Sequence, residues 1–170
     1  FAWGEVKEKR EYTWATYKWC TMKSYGSDYD EFTKYNTTSY SKLVDKKTVL
    51  EEEDDAASVN WDNAWRTPSI SEMKELLAAC DWKWVDNFDN SGVAGNLGTS
   101  KKNGNTIFFP AAGLRSETKL NGAGSYGVYW TLSLHDLKDD KAWFMVADND
   151  DHYIFGLRCH GFSVRAVTSK

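Results

Sequence analysis

The sequence predicts an α+β fold, with two helices followed by short strands and many turns. Three observations carry this. Ser69 and Glu72 form a capping box, and behind it Ile70, Met73, Leu76 and Leu77 fall on one helical face. Residues 50–57 place the acids of 51–55 at the front of a second helical stretch, where the dipole favours negative charge. After Cys80 the texture changes to short apolar runs broken by Gly, Asn and Pro.

Between residues 3 and 19, Trp3, Tyr12, Trp14, Tyr17 and Trp19 alternate loosely with polar residues and predict edge or paired strand. Residues 21–41, rich in Ser, Thr, Tyr, Asp and Asn, read as a long surface loop. The first helix begins near Val49, and residues 60–65 close it. Its carboxylates are expected to face solvent rather than converge on a cation, since they lack the ligand spacing of a calcium loop. The second helix is expected over 69–79, with Leu76 buried. Trp82 and Trp84 then alternate with Lys83 as strand. Gly92, Gly95 and Gly98 are expected to punctuate a loop, and no βαβ unit surrounds them to make a dinucleotide site. Residues 101–105 contain an Asn-Gly hairpin turn. Residues 106–109 form a short buried strand ended by Pro110, and a second glycine-rich loop over 121–127 leads into Tyr129 and Trp130. No repeat or second domain is visible, so residues 1–170 read as one domain.

Nine Trp, nine Tyr and eight Phe supply aromatic surface that serves equally as core or as contact area. A net charge of −4 argues against a nucleic-acid partner, which selects a basic stripe. No apolar run approaches the ~20 residues that span a bilayer. The chain opens at Phe1 rather than Met and is expected to be part of a larger anchored protein. Cys20, Cys80 and Cys159 have no C-x-x-C spacing, which excludes the common structural zinc patterns. One disulfide with one thiol, or three buried thiols, both remain open.

Residues 124–167 weave two textures together. One is a scaffold of bulky apolar and glycine positions: Tyr129, Trp130, Ala142, Trp143, Met145, Gly161, Phe162, Val164 and Val167. The other comprises residues 131–137 and 146–157, which follow no clean period of 2 or 3.6. Side chains without a folding period are those chosen for a partner. The candidate binding positions are Leu132, Leu134, His135, Asp136, Phe144, Asp148, Asp150, His152, Tyr153, Ile154, Phe155, Leu157 and His160.

Four pieces then form a recognisable order: Trp3-Gly4-Glu5; Glu53-Asp54-Asp55-Ala56-Ala57 before Asn60-Trp61; Trp65-Arg66-Thr67-Pro68-Ser69; and Phe109-Pro110-Ala111-Ala112-Gly113-Leu114-Arg115, with Tyr129-Trp130 and a terminal Gly161-Phe162-Ser163-Val164-Arg165-Ala166-Val167. Together they resemble the Fibrobacter succinogenes major paralogous domain, a family of surface-associated domains of gut bacteria. That family is similar to formylglycine-generating enzymes and to the C-type lectin-like fold. The resemblance implies two helices on a small twisted antiparallel sheet, with the termini close together and long loops opposite them. The same fold hosts the variable proteins of diversity-generating retroelements, in which template adenines are mutated and the scaffold is kept. The ending Gly161–Val167 looks like such a scaffold. An Asn codon mutated at its two adenines never yields Lys, Glu, Gln, Met or Trp, and residues 131–137 and 146–157 contain none of these. On that logic Lys138, Lys141, Trp143 and Met145 belong to the scaffold.

The expected function is therefore a receptor or adhesin domain for a protein or glycan ligand, displayed outside the cell on a bacterial surface or phage tail. The alternative is a structural or adhesion module of the same fold, and a formylglycine-generating-like enzyme is more distant. No catalysis is expected. The reactive cysteine pair of the enzyme branch is reduced here to Cys159, and neighbours on a strand such as Cys159 and His160 point to opposite faces. No cofactor or metal is expected either. Neither Pro68 nor Pro110 sits in a calcium-lectin motif, and His135, His152 and His160 are expected as surface contacts rather than ligands.

Overall fold

The computed structural model describes residues 1–21, 32–37, 44–61, 64–148 and 152–168. Its elements in chain order are α1 (Ala56–Trp61), β1 (Trp65–Arg66), α2 (Ile70–Ala79), β2 (Cys80–Val85), β3 (Gly95–Ser100), β4 (Thr106–Pro110), β5 (Leu114–Ser116), β6 (Lys119–Asn121), β7 (Gly127–Leu134), β8 (Lys141–Ala147), β9 (His152–Leu157) and β10 (Val167–Thr168). This is an α+β arrangement with few helices and small antiparallel sheets, two of them three-stranded, in the orders β2-β3-β4 and β7-β8-β9. Among the described residues no helix is long and apolar enough to cross a membrane.

The second helix follows the sequence reading. Ser69 Oγ accepts the Glu72 N–H at 3.2 Å, and the Glu72 carboxylate accepts the Ser69 N–H at 2.8 Å. The Arg66 guanidinium clamps the same carboxylate through two bonds of 2.7 and 2.5 Å. Met73, not Leu76, is the fully buried residue of this helix, and Leu76 and Leu77 pack half-buried beside it. Ser69→Ala is expected to cost about 1 kcal/mol in urea melts, and a loss indistinguishable from zero would remove the cap from this account.

The first helix departs from its expectation. Residues Glu52–Asp54 make a 3-10 turn, and α1 starts only at Ala56. Asp54 and Asp55 are buried rather than solvated. Asp55 receives the Ala57 N–H, the Ser58 hydroxyl and the Thr67 N–H at 3.1, 2.9 and 2.8 Å, which ties α1 to the approach of α2. Asp54 receives Lys18 Nζ, Lys34 Nζ and the Tyr35 hydroxyl at 3.1, 2.6 and 2.8 Å.

The aromatic N-terminal run is not strand. It holds a 3-10 turn at Trp14–Thr16 and isolated bridges from Tyr12 to Glu117 and from Cys20 to Phe32. Its rings are core instead, with Trp3, Tyr12, Trp14 and Tyr17 all buried. The described part of the expected surface loop, residues 32–37, is also largely core: Phe32, Tyr35 and Asn36 are buried, because their rings and amide pack on that aromatic run. The remainder of that expectation lies outside the described residues. The termini lie together: the Phe1 amino group donates to the Phe162 carbonyl at 3.0 Å, and the Phe162 N–H returns the bond to Phe1 at 3.0 Å.

Gly95 and Gly98 lie in β3 rather than in a loop. Gly98 pairs with Trp82, and a Cβ there would meet the indole at 2.7 Å. The glycine is a bed for the tryptophan, which is one of the uses of glycine inside a strand. The hairpin over 101–105 appears where the sequence places it, while the strand expected over 106–109 runs on through Pro110, which pairs with Gly95, and only Phe109 of it is fully buried. Cys80 and Cys159 are buried thiols, and Cys20 is half-buried.

The centre of the core holds a cation. Arg158 is fully buried, and its guanidinium donates to the Tyr17 hydroxyl (2.9 Å) and to the carbonyls of Tyr35 (3.2 Å), Asp139 (2.7 Å) and Lys34 (3.0 Å). The rings of Trp3, Tyr17, Phe32 and Tyr35 surround it at 4.6–5.8 Å.

Candidate ligand-binding face

The sheet β7-β8-β9 has two faces, set by the alternation of side chains along a strand. On one, Val128, Trp130, Leu134, Ala142, Phe144 and Val146 join Trp3, Tyr35 and Phe162 in the main core. On the other, Tyr129, Met145 and Ala147 lie against Met73 of α2 and Phe109. Further along that second face, Trp143 stands beside its cross-strand partner Phe155, and Tyr153 lies opposite Met145.

These rings form a cluster. Trp143 meets Phe155 edge-on at 5.8 Å and Tyr153 at 6.2 Å. His135 stacks on Trp143 at 5.0 Å and meets Phe155 edge-on at 4.3 Å. Tyr153 and Phe155 are about two-fifths exposed, at 42% and 39%, which makes them accessible contact area rather than core. Three lysines rim the rings. Lys74 Nζ lies 4.5 Å from the Tyr153 centroid, Lys141 Nζ 5.0 Å and Lys138 Nζ 5.7 Å from that of Phe155. An ammonium over a ring face gains from the ring quadrupole. Burial holds the His135 imidazole below its ordinary pKa, Asp136 and Asp140 oppose that, and Lys138 and Lys141 reinforce it. Its Nδ1 accepts the Leu137 N–H at 3.1 Å, so the neutral ring carries its proton on Nε2.

Of the thirteen positions expected on one face, the structure brings together only part. Tyr153 and Phe155 share the cluster, with His135 beneath it and Asp136 exposed in the adjoining turn. Leu134 and Phe144 are core, at 2% and 5% exposure, because their strand register turns them toward Trp130 and Phe162. Ile154 is exposed but on the opposite face of β9, opposite Phe144. Leu132 lines a separate cleft with Val49, Leu50, Ser69 and Glu72. Leu157 packs half-buried against the Tyr12, Trp14 and Tyr17 cluster. His160 is half-buried away from the rings, with Nε2 3.4 Å from Ser116 Oγ. Asp148 is half-buried, and its carbonyl accepts the Asn96 amide at 2.5 Å. Asp150 and the His152 side chain lie outside the described residues.

Trp143, Lys138 and Lys141, which codon logic assigns to the scaffold, stand in or over the ring cluster. The signal was present in the strand period: Ala142, Phe144 and Val146 alternate with Lys141, Trp143 and Met145. Lys74 had no signal, because its approach depends on how α2 crosses the sheet.

A second cluster of ligand-type side chains lies in the acidic group near α1. Carboxylate oxygens of Glu51, Glu53 and Asp54 come within 4.8 Å of one another. The Lys34 ammonium sits among them, at 2.5 Å from Glu51, 3.5 Å from Glu53 and 2.6 Å from Asp54. The countercharge is therefore supplied by the chain. Hydrogen bonds from Lys34 and Lys47 hold Glu51 at about 2, and Arg66 holds Glu72 at about 2. Burial works against the Asp54 carboxylate, but bonds from Lys34, Tyr35 and Lys18 leave it lowered overall. Depressed carboxylates contribute stability that is present above their unfolded values and lost as pH falls through the folded ones. The buried His135 and half-buried His160, held below the ordinary histidine value of 6.5, should begin to lower the melting temperature as pH falls past 6.5, and a further loss from the carboxylates should follow between the ordinary glutamate value of 4.5 and about 2. A melting temperature unchanged across that window would contradict these ion pairs.

Burial pushes the Cys159 thiol up to about 12, the opposite direction from that of an activated nucleophile. No protein-family model, no curated protein and no solved structure matches this chain.

Proposed function

We propose that this chain is a ligand-binding domain of receptor or adhesin type, with a C-type lectin-like fold, whose binding surface is the ring face of Trp143, Tyr153 and Phe155. One observation carries the reading: the exposed Tyr153 and Phe155 rings of β9 beside half-buried Trp143 of β8, rimmed by lysines and backed by a buried His135. Tyr, Trp and Phe give large contact area at low entropy cost, and a sheet holds them in fixed positions. The absence of Lys, Glu, Gln, Met and Trp from residues 131–137 and 146–157 supports a further step, that a diversity-generating retroelement rewrites part of this surface. Display on a bacterial surface or a phage tail fits that reading.

The burial pattern narrows which positions such a process can change. Thr131, Leu134, Val146 and Ala147 are buried, so among the described residues tolerated diversity belongs to the exposed Asp136, Leu137, Tyr153, Ile154 and Phe155. The test is to sequence the DNA beside the gene. A near-copy of the codons for residues 124–167, next to a reverse transcriptase and differing at adenines, is the expected result. Its absence would overturn diversification and leave a ligand face of fixed sequence. The exposed Tyr153, Ile154 and Phe155 also favour a second reading, a module of a surface assembly that packs this strand on a neighbour.

A further inference from the structure

Strand β9 is the outer strand of its sheet and pairs only with β8 among the described residues. Which of its backbone groups face outward follows from the ladder. Asp140 lies opposite Arg158 in the β8–β9 register, and the Arg158 N–H donates to the Asp140 carbonyl at 3.0 Å. Antiparallel pairs alternate between bonded and non-bonded. Gly156 and Ile154 therefore exchange bonds with Ala142 and Phe144, while the N–H and C=O groups of Tyr153 and Phe155 point away from the sheet. The other side of β8 agrees, because the Lys141 carbonyl accepts from His135 and the Trp143 carbonyl from Thr131, both on the β7 side.

Natural edge strands are blunted by lysine, proline, bulges or a covering segment. Residues 152–157 contain neither Lys nor Pro, and their register with β8 runs unbroken. The edge thus offers open backbone groups at the same two residues whose rings form the ligand face. Lys74, Lys138 and Lys141 overhang those rings, and among the described residues no carboxylate lies within ion-pair reach of their ammonium groups. Asp136 and Asp140 in the adjoining turn act on His135.

We propose that the ligand is an extended acidic polypeptide segment that adds to β9 as a further strand, bonding to the backbone of Tyr153 and Phe155. This rests on the ligand-face reading above. Strand addition takes affinity from main-chain bonds and specificity from alternate side chains. Here those alternate side chains lie beside the Tyr153 and Phe155 rings, under Lys74, Lys138 and Lys141, which selects carboxylates. A glycan would use the rings and leave the edge unbonded.

The experiment titrates the isotope-labelled domain with three acetylated peptides. One alternates glutamate and valine, one is the same peptide methylated on alternate amide nitrogens, and one carries lysine for glutamate. The first should slow amide exchange at Tyr153 and Phe155 and shift the Trp143 indole signal. The methylated and lysine peptides should bind about tenfold more weakly or worse, the size expected for losing one or two backbone or charge-assisted bonds. Equal affinity for the methylated peptide, with the Trp143 signal still shifting, would overturn strand addition and leave the ring face standing as a ligand site. No binding of the first peptide would overturn the acidic-segment assignment. Concentration-dependent dimerisation that protects the same amides would overturn it in favour of a second copy on the edge. The ligand-face reading itself fails separately, if Tyr153→Ser and Phe155→Ser leave untouched the binding of ligands selected on the native domain.

Discussion

Arg158→Ala is expected to leave the domain largely unfolded, with a stability loss of at least about 4 kcal/mol in urea melts. Two effects add. The substitution deletes a large fully buried side chain from between Trp3, Tyr17, Phe32 and Tyr35, and cavities of that size cost several kcal/mol because the rings cannot close over them. It also removes the guanidinium donors from the buried carbonyls of Lys34, Tyr35 and Asp139 and from the Tyr17 hydroxyl, which keeps its own bond to the Trp3 carbonyl. Arg158→Lys separates the two. A lysine keeps charge and much of the stem, but a point donor cannot span a fork whose four bonds diverge to residues far apart in sequence. It should recover part of the loss and still cost about 2 kcal/mol or more. An Arg158→Ala protein within about 1 kcal/mol of the native one would show that the guanidinium is not what joins residues 32–37 to β9.

Arg158 also shows where sequence reading stops. Arginine is among the residues least often buried, and a single chain gives no hint that four neutral acceptors converge on this one. The same limit explains the acids at Asp54 and Asp55. A run of carboxylates reads as a solvated helix front, and only the fold brings Lys18, Lys34 and Thr67 to them. Features whose cause is local were legible. The Ser69–Glu72 box and the turn over 101–105 are fixed by neighbours within a few residues and appear in place, and the strand expected at 106–109 is there with Pro110 as its last residue. The aromatic N-terminal run has local alternation but no strand partner, so its rings became core without a ladder.

The candidate face was legible in its composition and not in its membership. Irregular texture marks residues 146–157 as candidate contact surface, and within them the Tyr153 and Phe155 rings are exposed. Phe144 and Leu134 look identical in type to exposed members, and only the pairing register turns them inward. Trp143 was set aside because no mutated Asn codon encodes it. That rule bears on how a surface is written and says nothing of which fixed residues stand beside it.

The partition of face from core leads to the second large effect. The double variant Tyr153→Ser/Phe155→Ser should lose no more than about 2 kcal/mol, since both rings are near two-fifths exposed and forfeit chiefly their edge contacts with Trp143 and His135. Phe144→Ala, one strand away and 5% exposed, should cost about 3–5 kcal/mol by opening a hole between Trp130 and Phe162. Gly156 lies directly against that ring, where a Cβ would meet it at 2.7 Å, and it has no side chain with which to fill the hole. Binding should sort the other way. A peptide selected on the native domain from a random displayed library should lose its affinity for the double variant and for Trp143→Ser, while any Phe144→Ala protein that remains folded should retain it. Unfolding of the double variant beside an intact Phe144→Ala protein would mean that β9 presents the opposite side to solvent, and the ring cluster would then be core.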